Sequence, residues 1–168
     1  MIPIIIMIIS LLLDGLLTNF LPFMPNDLSY FTPLFTVVSI FIIYPYYRKN
    51  IKKYLITIFI LGMIYDIFYT NLLFFNGVLF CLVGLLVKLL YKNFEVTPIR
   101  LLFYLVIIVS FYESLYGIIL LVFQMVPVTI NKIIYKISHT LLLNIIYGEV
   151  VFIIEKIIPR KYKKMSIN

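Results

Sequence analysis

The chain lacks residues on which several classes of protein depend. Its 168 residues include no alanine, no tryptophan, one cysteine and one histidine, and only 12% of them are charged. A single cysteine excludes an intramolecular disulfide framework, and the sequence offers no Cys/His cluster for a metal. The low charge, beside 64% hydrophobic residues, excludes a soluble domain, which could not cover so much apolar surface.

What the chain has instead is a succession of apolar stretches. Six are long and charge-poor enough to cross a hydrocarbon core of roughly 30 Å as helices. The N-terminus has no positively charged start and no small-residue cleavage site, so we expect the first stretch to be retained. The predicted fold is an all-α integral membrane protein, with one six-helix transmembrane domain over residues 1–158 and a basic cytoplasmic tail over residues 159–168. The predicted spans are 2–21, 29–47, 54–71, 74–91, 100–125 and 138–158.

The positions of the basic residues predict the orientation, because Lys and Arg are held on the cytoplasmic side during insertion. They cluster in the second loop, around the fourth span and in the tail, whereas only Lys132 and Lys136 fall in the fifth loop. Both termini are therefore predicted to be cytoplasmic. The net charge of +7 is explained by topology and by contact with membrane lipid, not by nucleic acid. The predicted cytoplasmic residues are Arg48, Lys49, Lys52, Lys53, Lys88, Lys92, Arg100, Lys156, Arg160, Lys161, Lys163 and Lys164.

An acidic residue recurs about a dozen residues into three of the stretches, as Asp14, Asp66 and Glu113. A charge at the centre of a transmembrane helix costs roughly 2.5 to 3.5 kcal/mol on insertion scales, so three at similar depth indicate a candidate site. The sequence places no Lys or Arg at the same depth. We therefore expect protonated carboxyls, or hydrogen bonds from hydroxyl and amide groups, to satisfy them.

The first and third stretches share the pattern Asp-x-x-x-Thr-Asn, which begins at Asp14 and again at Asp66, where Thr70 and Asn71 complete it. The aspartate and threonine of each copy are four residues apart and share a helix face. The pattern predicts an internal repeat of a helical hairpin, whose polar stripes face protein or water instead of lipid. Asn144 in the last stretch is predicted to serve the same polar interior only loosely.

Three segments carry a family resemblance: Phe59 to Leu73 with a Gly-x-x-x-Asp motif, Tyr112 to Gly117, and Thr140 to Asn144. They resemble the rod shape-determining membrane protein family MreD, particularly its Gram-positive members. The resemblance covers most of the chain, with the same size and six-span layout. The chain departs from the family's pattern at Asn71, at Phe74 to Asn76 and in the additional Glu149.

The resemblance implies a non-catalytic scaffold of the cell-elongation machinery in the bacterial plasma membrane, with no cofactor. Family members associate with the single-span protein MreC and help to connect cytoplasmic MreB filaments to the glycosyltransferase and transpeptidase that insert new peptidoglycan. For this chain, the resemblance implies that Asp66, Thr70 and Asn71 either fix helix packing or form a cleft that faces a partner helix.

Two other classes of function fit less well. The substrate-binding membrane component of an energy-coupling-factor vitamin transporter has six helices and a similar length, and the resemblance to MreD implies a similar fold. This chain, having no alanine, lacks the Ala-x-x-x-Ala motif by which those components dock. A membrane enzyme fits worse, because the acids lie without a His at their depth, metal-ligand spacing, a Gly-rich phosphate loop or a Ser/His pair.

Overall fold

The computed structural model describes residues 2–20, 32–70, 72–93, 97–123 and 129–157. Within these ranges the secondary structure is helical, with no strand. At the end of the third helix the chain continues into a π-helical turn, Asp66–Thr70. The six α-helices of the described ranges are α1 (Ile2–Phe20), α2 (Phe35–Tyr47), α3 (Ile51–Tyr65), α4 (Phe75–Asn93), α5 (Pro98–Val122) and α6 (Ile130–Ile157).

Each predicted span overlaps one of these helices, and the predicted bounds are furthest from the observed ones at two starts. The second helix begins at Phe35 instead of residue 29, and the preceding residues 32–34 are not helical. The sixth begins at Ile130 instead of residue 138, because its two lysines interrupt the apolar run without interrupting the helix. The predicted tail, residues 159–168, lies outside the described residues.

Two described helical segments are long and apolar enough to cross a membrane by length and composition, Ile99–Val122 and Ile130–Ile157. Three shorter segments of the described helices are also apolar: Ile2–Thr18, Phe35–Tyr47 and Phe75–Tyr91. Large apolar side chains cover the outward faces of the helices. An apolar exterior of this extent is typical of a protein surrounded by lipid. Examples, all about half exposed or more, are Ile4, Ile8, Leu12, Leu16, Ile56, Ile60, Leu89, Phe103, Leu142 and Ile146.

Helix α2 forms the centre of the molecule. Every residue from Phe35 to Tyr44 is buried, and α2 packs against each of the other five helices. A helix that is apolar on all sides is stable only when neighbours surround it. At 13 residues it is about 20 Å long, so it is shorter than the helices around it. Side chains of α2 and of the five helices around it form one buried hydrophobic cluster.

Helices α3 and α4 approach each other through glycine. A Cβ built on Gly62 would lie 2.6 Å from the Cα of Gly77, so no side chain fits between the two backbones. At Gly84 a Cβ would collide with the side chain of Ile58. Small residues permit this close packing of membrane helices. The contact fixes α3 against α4 and so brings the end of α3 beside the start of α4.

Candidate functional site

Asp14 on α1 caps the N-terminus of α2. The backbone N–H of Phe35 donates to Asp14 Oδ1 at an N to O distance of 2.7 Å, and that of Thr36 donates to Oδ2 at 2.9 Å. The first N–H groups of a helix have no partner inside the helix. Leu34 at the N-cap position cannot supply one, and its side chain makes no capping bond. A carboxyl from another helix therefore takes the place of a local cap, and it also interacts favourably with the positive end of the helix dipole.

Asn144 on α6 holds the segment that leads into α2. Its Oδ1 accepts from the backbone N–H of Leu34 at 2.7 Å. Its Nδ2 donates to the carbonyl oxygens of Thr32 at 3.0 Å and Thr140 at 2.8 Å. Asp14 and Asn144 thus satisfy three successive backbone N–H groups at one buried helix start. The later start of α2 agrees with these contacts, because Asn144 holds Thr32 and Leu34 outside the helix and Asp14 caps its first residues.

Asp66 performs the corresponding task for α4. It is fully buried in the π-helical turn, and its carboxyl accepts from the backbone N–H of Asn76 at 2.9 and 3.1 Å. The side-chain amide of Asn76 and the hydroxyl of Thr70 also donate to Oδ1, at 2.7 and 2.8 Å. The hydroxyl of Tyr112 on α5 then donates to Asn76 Oδ1 at 2.7 Å. The carboxyl of Asp66 joins the π-helical turn to α4, and Asn76 extends the network to α5. π-Helical turns of this kind often occur at functional sites.

Glu113 on α5 contacts the beginning of α6 through an ion pair. Lys136 Nζ lies 3.0 Å from Glu113 Oε2 and also 5.2 Å from the centre of the Tyr116 ring. This corrects the expectation that no basic residue reaches the depth of the acids. Because α6 begins at Ile130, Lys136 lies in its second turn instead of in a loop, with its side chain turned inward.

The three acids therefore share one arrangement. Asp14 lies on α1, Asp66 in the π-helical turn that continues α3, and Glu113 on α5, and each contacts the N-terminal part of the next α-helix in the chain. Asp14 and Asp66, the two copies of the sequence pattern, both accept from backbone N–H groups there, whereas Glu113 pairs with a lysine side chain. Asn71 lies outside the described residues.

A cavity of about 90 Å³ lies where these groups approach one another. Glu113 and Lys136 line it, Thr70 belongs to the Asp66 cluster, and Leu34 belongs to the segment held by Asn144. The remaining lining residues are Thr32, Tyr65, Tyr112 and Tyr116. Of the predicted site residues, the structure thus brings Thr70 and Glu113 to one cavity, while Asp14, Asp66 and Asn144 support its surroundings.

Sequence reasoning missed three members of this interior: Asn76, Tyr112 and Lys136. Asn76 could have been identified from the sequence, because it is a polar residue near the start of an apolar helix, where polar side chains often make contacts at the helix terminus. The hydropathy pattern predicts a loop at Lys136, so the sequence alone does not place this lysine beside Glu113. Within the described parts of the chain, no group of three His, Cys, Asp or Glu side chains is placed to hold a metal ion.

Comparison with known proteins gives one match. The model of the family described as "MreD: rod shape-determining protein MreD" matches residues 1–160, which is nearly the whole chain. Neither the curated proteins nor the solved structures contain a match to the chain.

Proposed function

The chain belongs to the MreD family of rod shape-determining proteins, and from this premise we propose that it is a non-catalytic membrane scaffold of the bacterial cell-elongation machinery that binds MreC. The observation that carries the proposal is the extent of the match, residues 1–160 of the chain. Membership places the chain in rod-shape determination and at the membrane. The scaffold role, the partner and the absence of catalysis are the proposed part.

The proposed arrangement in the membrane has six spans with both termini in the cytoplasm of the cell. Two helices of spanning length and an apolar exterior support it, and the basic residues at the ends of the spans give its direction. In this orientation α2, α4 and α6 begin near the outer face. The contacts made by Asp14, Asp66 and Glu113 then all lie in the outer half of the plasma membrane.

The polar contacts explain how such a chain would serve as a scaffold. In lipid, apolar surface gives little preference for one arrangement of helices over another, so hydrogen bonds and close packing determine which helices associate. Here each acid joins its helix to the next one. We propose that these contacts hold a fixed surface for MreC, and through MreC for MreB, the glycosyltransferase and the transpeptidase.

Asp66 acts through this packing in our proposal, not through direct contact with a partner. Its side chain is fully buried, and both carboxyl oxygens accept hydrogen bonds from within the chain. Ile67 and Phe68, which follow it, are both more than half exposed. A change at Asp66 would therefore alter the partner surface by moving the π-helical turn.

The test is a pull-down of the tagged protein from detergent-solubilised native membranes, with partners identified by mass spectrometry. The proposal predicts recovery of MreC together with peptidoglycan-elongation enzymes. The recovery of MreC is then compared between two variants. Phe68→Ala removes an exposed ring beside the π-helical turn without touching the interior, and Leu12→Ala is the control on the exposed face of α1. Recovery of ATPase subunits with a shared transmembrane coupling protein would contradict the proposal and favour a vitamin transporter component.

A further inference from the structure

The carboxylate of Glu113 is buried but only partly satisfied. Its side chain is 2% exposed, and Oε2 is engaged by Lys136. Oε1 has no hydrogen-bond partner among the described residues. A buried carboxylate oxygen without a donor is unfavourable, and such atoms normally have a partner. The arrangement therefore indicates that a donor reaches Oε1 from outside the described residues.

The cavity beside Glu113 has room for such a donor. Its volume is about 90 Å³. A cavity of roughly 150 Å³ holds one benzene ring, so this one has room for roughly three to four heavy atoms. Lys136 lines the cavity and keeps 16% of its side chain exposed, so the cavity communicates with the surface of the described structure. The space suits a small polar group on a short carbon chain.

The lining charges restrict the chemical class of the occupant. Glu113 and Lys136 form a neutral pair, so a simple cation or anion would bring an uncompensated charge into a mostly buried site. A molecule that carries one positive and one negative charge would bring no net charge into the site. Three tyrosines, Tyr65, Tyr112 and Tyr116, also line the cavity, and aromatic side chains attract ammonium groups. A zwitterion with an ammonium therefore fits better than a neutral alcohol.

We propose that this cavity binds the ammonium end of a small zwitterion, a primary ammonium group on a short carbon chain, while the anionic group of the ligand stays at the edge of the cavity beside the partly exposed Lys136. The ammonium donates to Glu113 Oε1, and the anionic group of the ligand meets Lys136 Nζ. Two sources carry this chemistry: the headgroup of an ethanolamine phospholipid, and a soluble zwitterion such as a free amino acid. The inference goes beyond the scaffold role and stands independently of whether MreC binds.

The test uses the purified full chain in nanodiscs of phosphatidylcholine. Glycerophosphoethanolamine, a phosphodiester zwitterion with no net charge, is titrated by isothermal calorimetry, with glycerophosphocholine as the matched probe, because its trimethylated nitrogen cannot donate a hydrogen bond. A second arm adds phosphatidylethanolamine to the nanodiscs and identifies lipid retained by the protein with native mass spectrometry. Retained ethanolamine lipid assigns the lipid source, and saturable binding of the soluble probe alone assigns the soluble one. In either arm we expect the ethanolamine form to be preferred at least tenfold.

Variants connect the binding to the two charged residues. The double substitution Glu113→Gln with Lys136→Gln removes both charges and leaves no unpaired one, and we expect it to weaken binding at least tenfold. Glu149→Gln is the control, because Oε1 of Glu149 is also buried without a partner in the described structure but does not line this cavity. It should bind as the unaltered chain does.

Three results would overturn the proposal: no binding in either arm, equal binding of the two probes, or equal losses in the double variant and the control. The first would mean that the cavity holds water only. The comparison of probes is made on the unaltered protein, so it remains decisive even if the double variant does not fold.

Discussion

Removal of the Asp14 carboxyl should destabilise the start of α2. In Asp14→Ala, the backbone N–H groups of Phe35 and Thr36 lose their acceptor, and both residues are buried. Each unsatisfied buried donor costs about 1 to 3 kcal/mol. The substitution also removes the cost of burying the carboxyl, and this gain offsets part of the lost stability. We expect a net loss of about 2 to 4 kcal/mol in the free energy of unfolding, more than a typical exposed N-cap contributes, about 0.5 to 2 kcal/mol.

The assay is unfolding of the purified protein in mixed detergent micelles at increasing SDS fraction, followed by far-UV circular dichroism. Asp14→Asn keeps one acceptor oxygen and should lose about half as much stability. Leu12→Ala, on the exposed face of the same helix, should change stability by no more than about 0.5 kcal/mol in detergent. Equal effects of Asp14→Ala and Leu12→Ala would refute the capping role.

A double-mutant cycle with Asn144→Ala tests the same contact from α6. Because Asp14 and Asn144 satisfy successive N–H groups of one helix start, their losses should not add. We expect a coupling energy within the range of about 0.5 to 3 kcal/mol for residues that share a network. Strict additivity would show that the two side chains act on α2 independently.

Three further changes test other contacts. Asp66→Ala should lower the amount of folded protein in membranes on immunoblots, because the N–H of Asn76 loses its acceptor; normal levels with lost rod shape would instead indicate a direct functional contact. Gly62→Leu should destabilise the chain by about 2 kcal/mol or more in the SDS assay, because no side chain fits against the Gly77 backbone; unchanged stability would contradict the close helix approach. Tyr112→Phe should cost about 1 kcal/mol, the worth of one hydrogen bond, and should cost nothing once Asn76 is alanine.

The helices and the acids could be predicted because they depend on local sequence. Long apolar runs identified all six helical segments, and their acids stood out against that background. The start of α6 could not be predicted from hydropathy, because Lys132 and Lys136 lower the local average while the helix continues through them. Because the predicted sixth helix began only at residue 138, the sequence did not identify Lys136 as the partner of Glu113.

The contacts between helices could not be predicted, because they depend on tertiary packing. The start of α2 is determined by Asp14 and Asn144, which come from two other helices. The carboxyl of Asp66 meets Asn76 only because Gly62 and Gly77 let α3 and α4 approach closely. The shared pattern at Asp14 and Asp66 indicated a repeated hairpin, but it did not reveal that both aspartates accept from the next helix.

The central claim, that this chain is a scaffold for rod-shape determination, is tested most directly by depleting it in its own host. Cell width and MreC localisation are followed by microscopy during the depletion. We expect that cells widen and round as the protein is lost, that MreC disperses from the elongation sites, and that the unaltered chain restores both. Cells that keep their rod shape and their MreC pattern after complete depletion would contradict it.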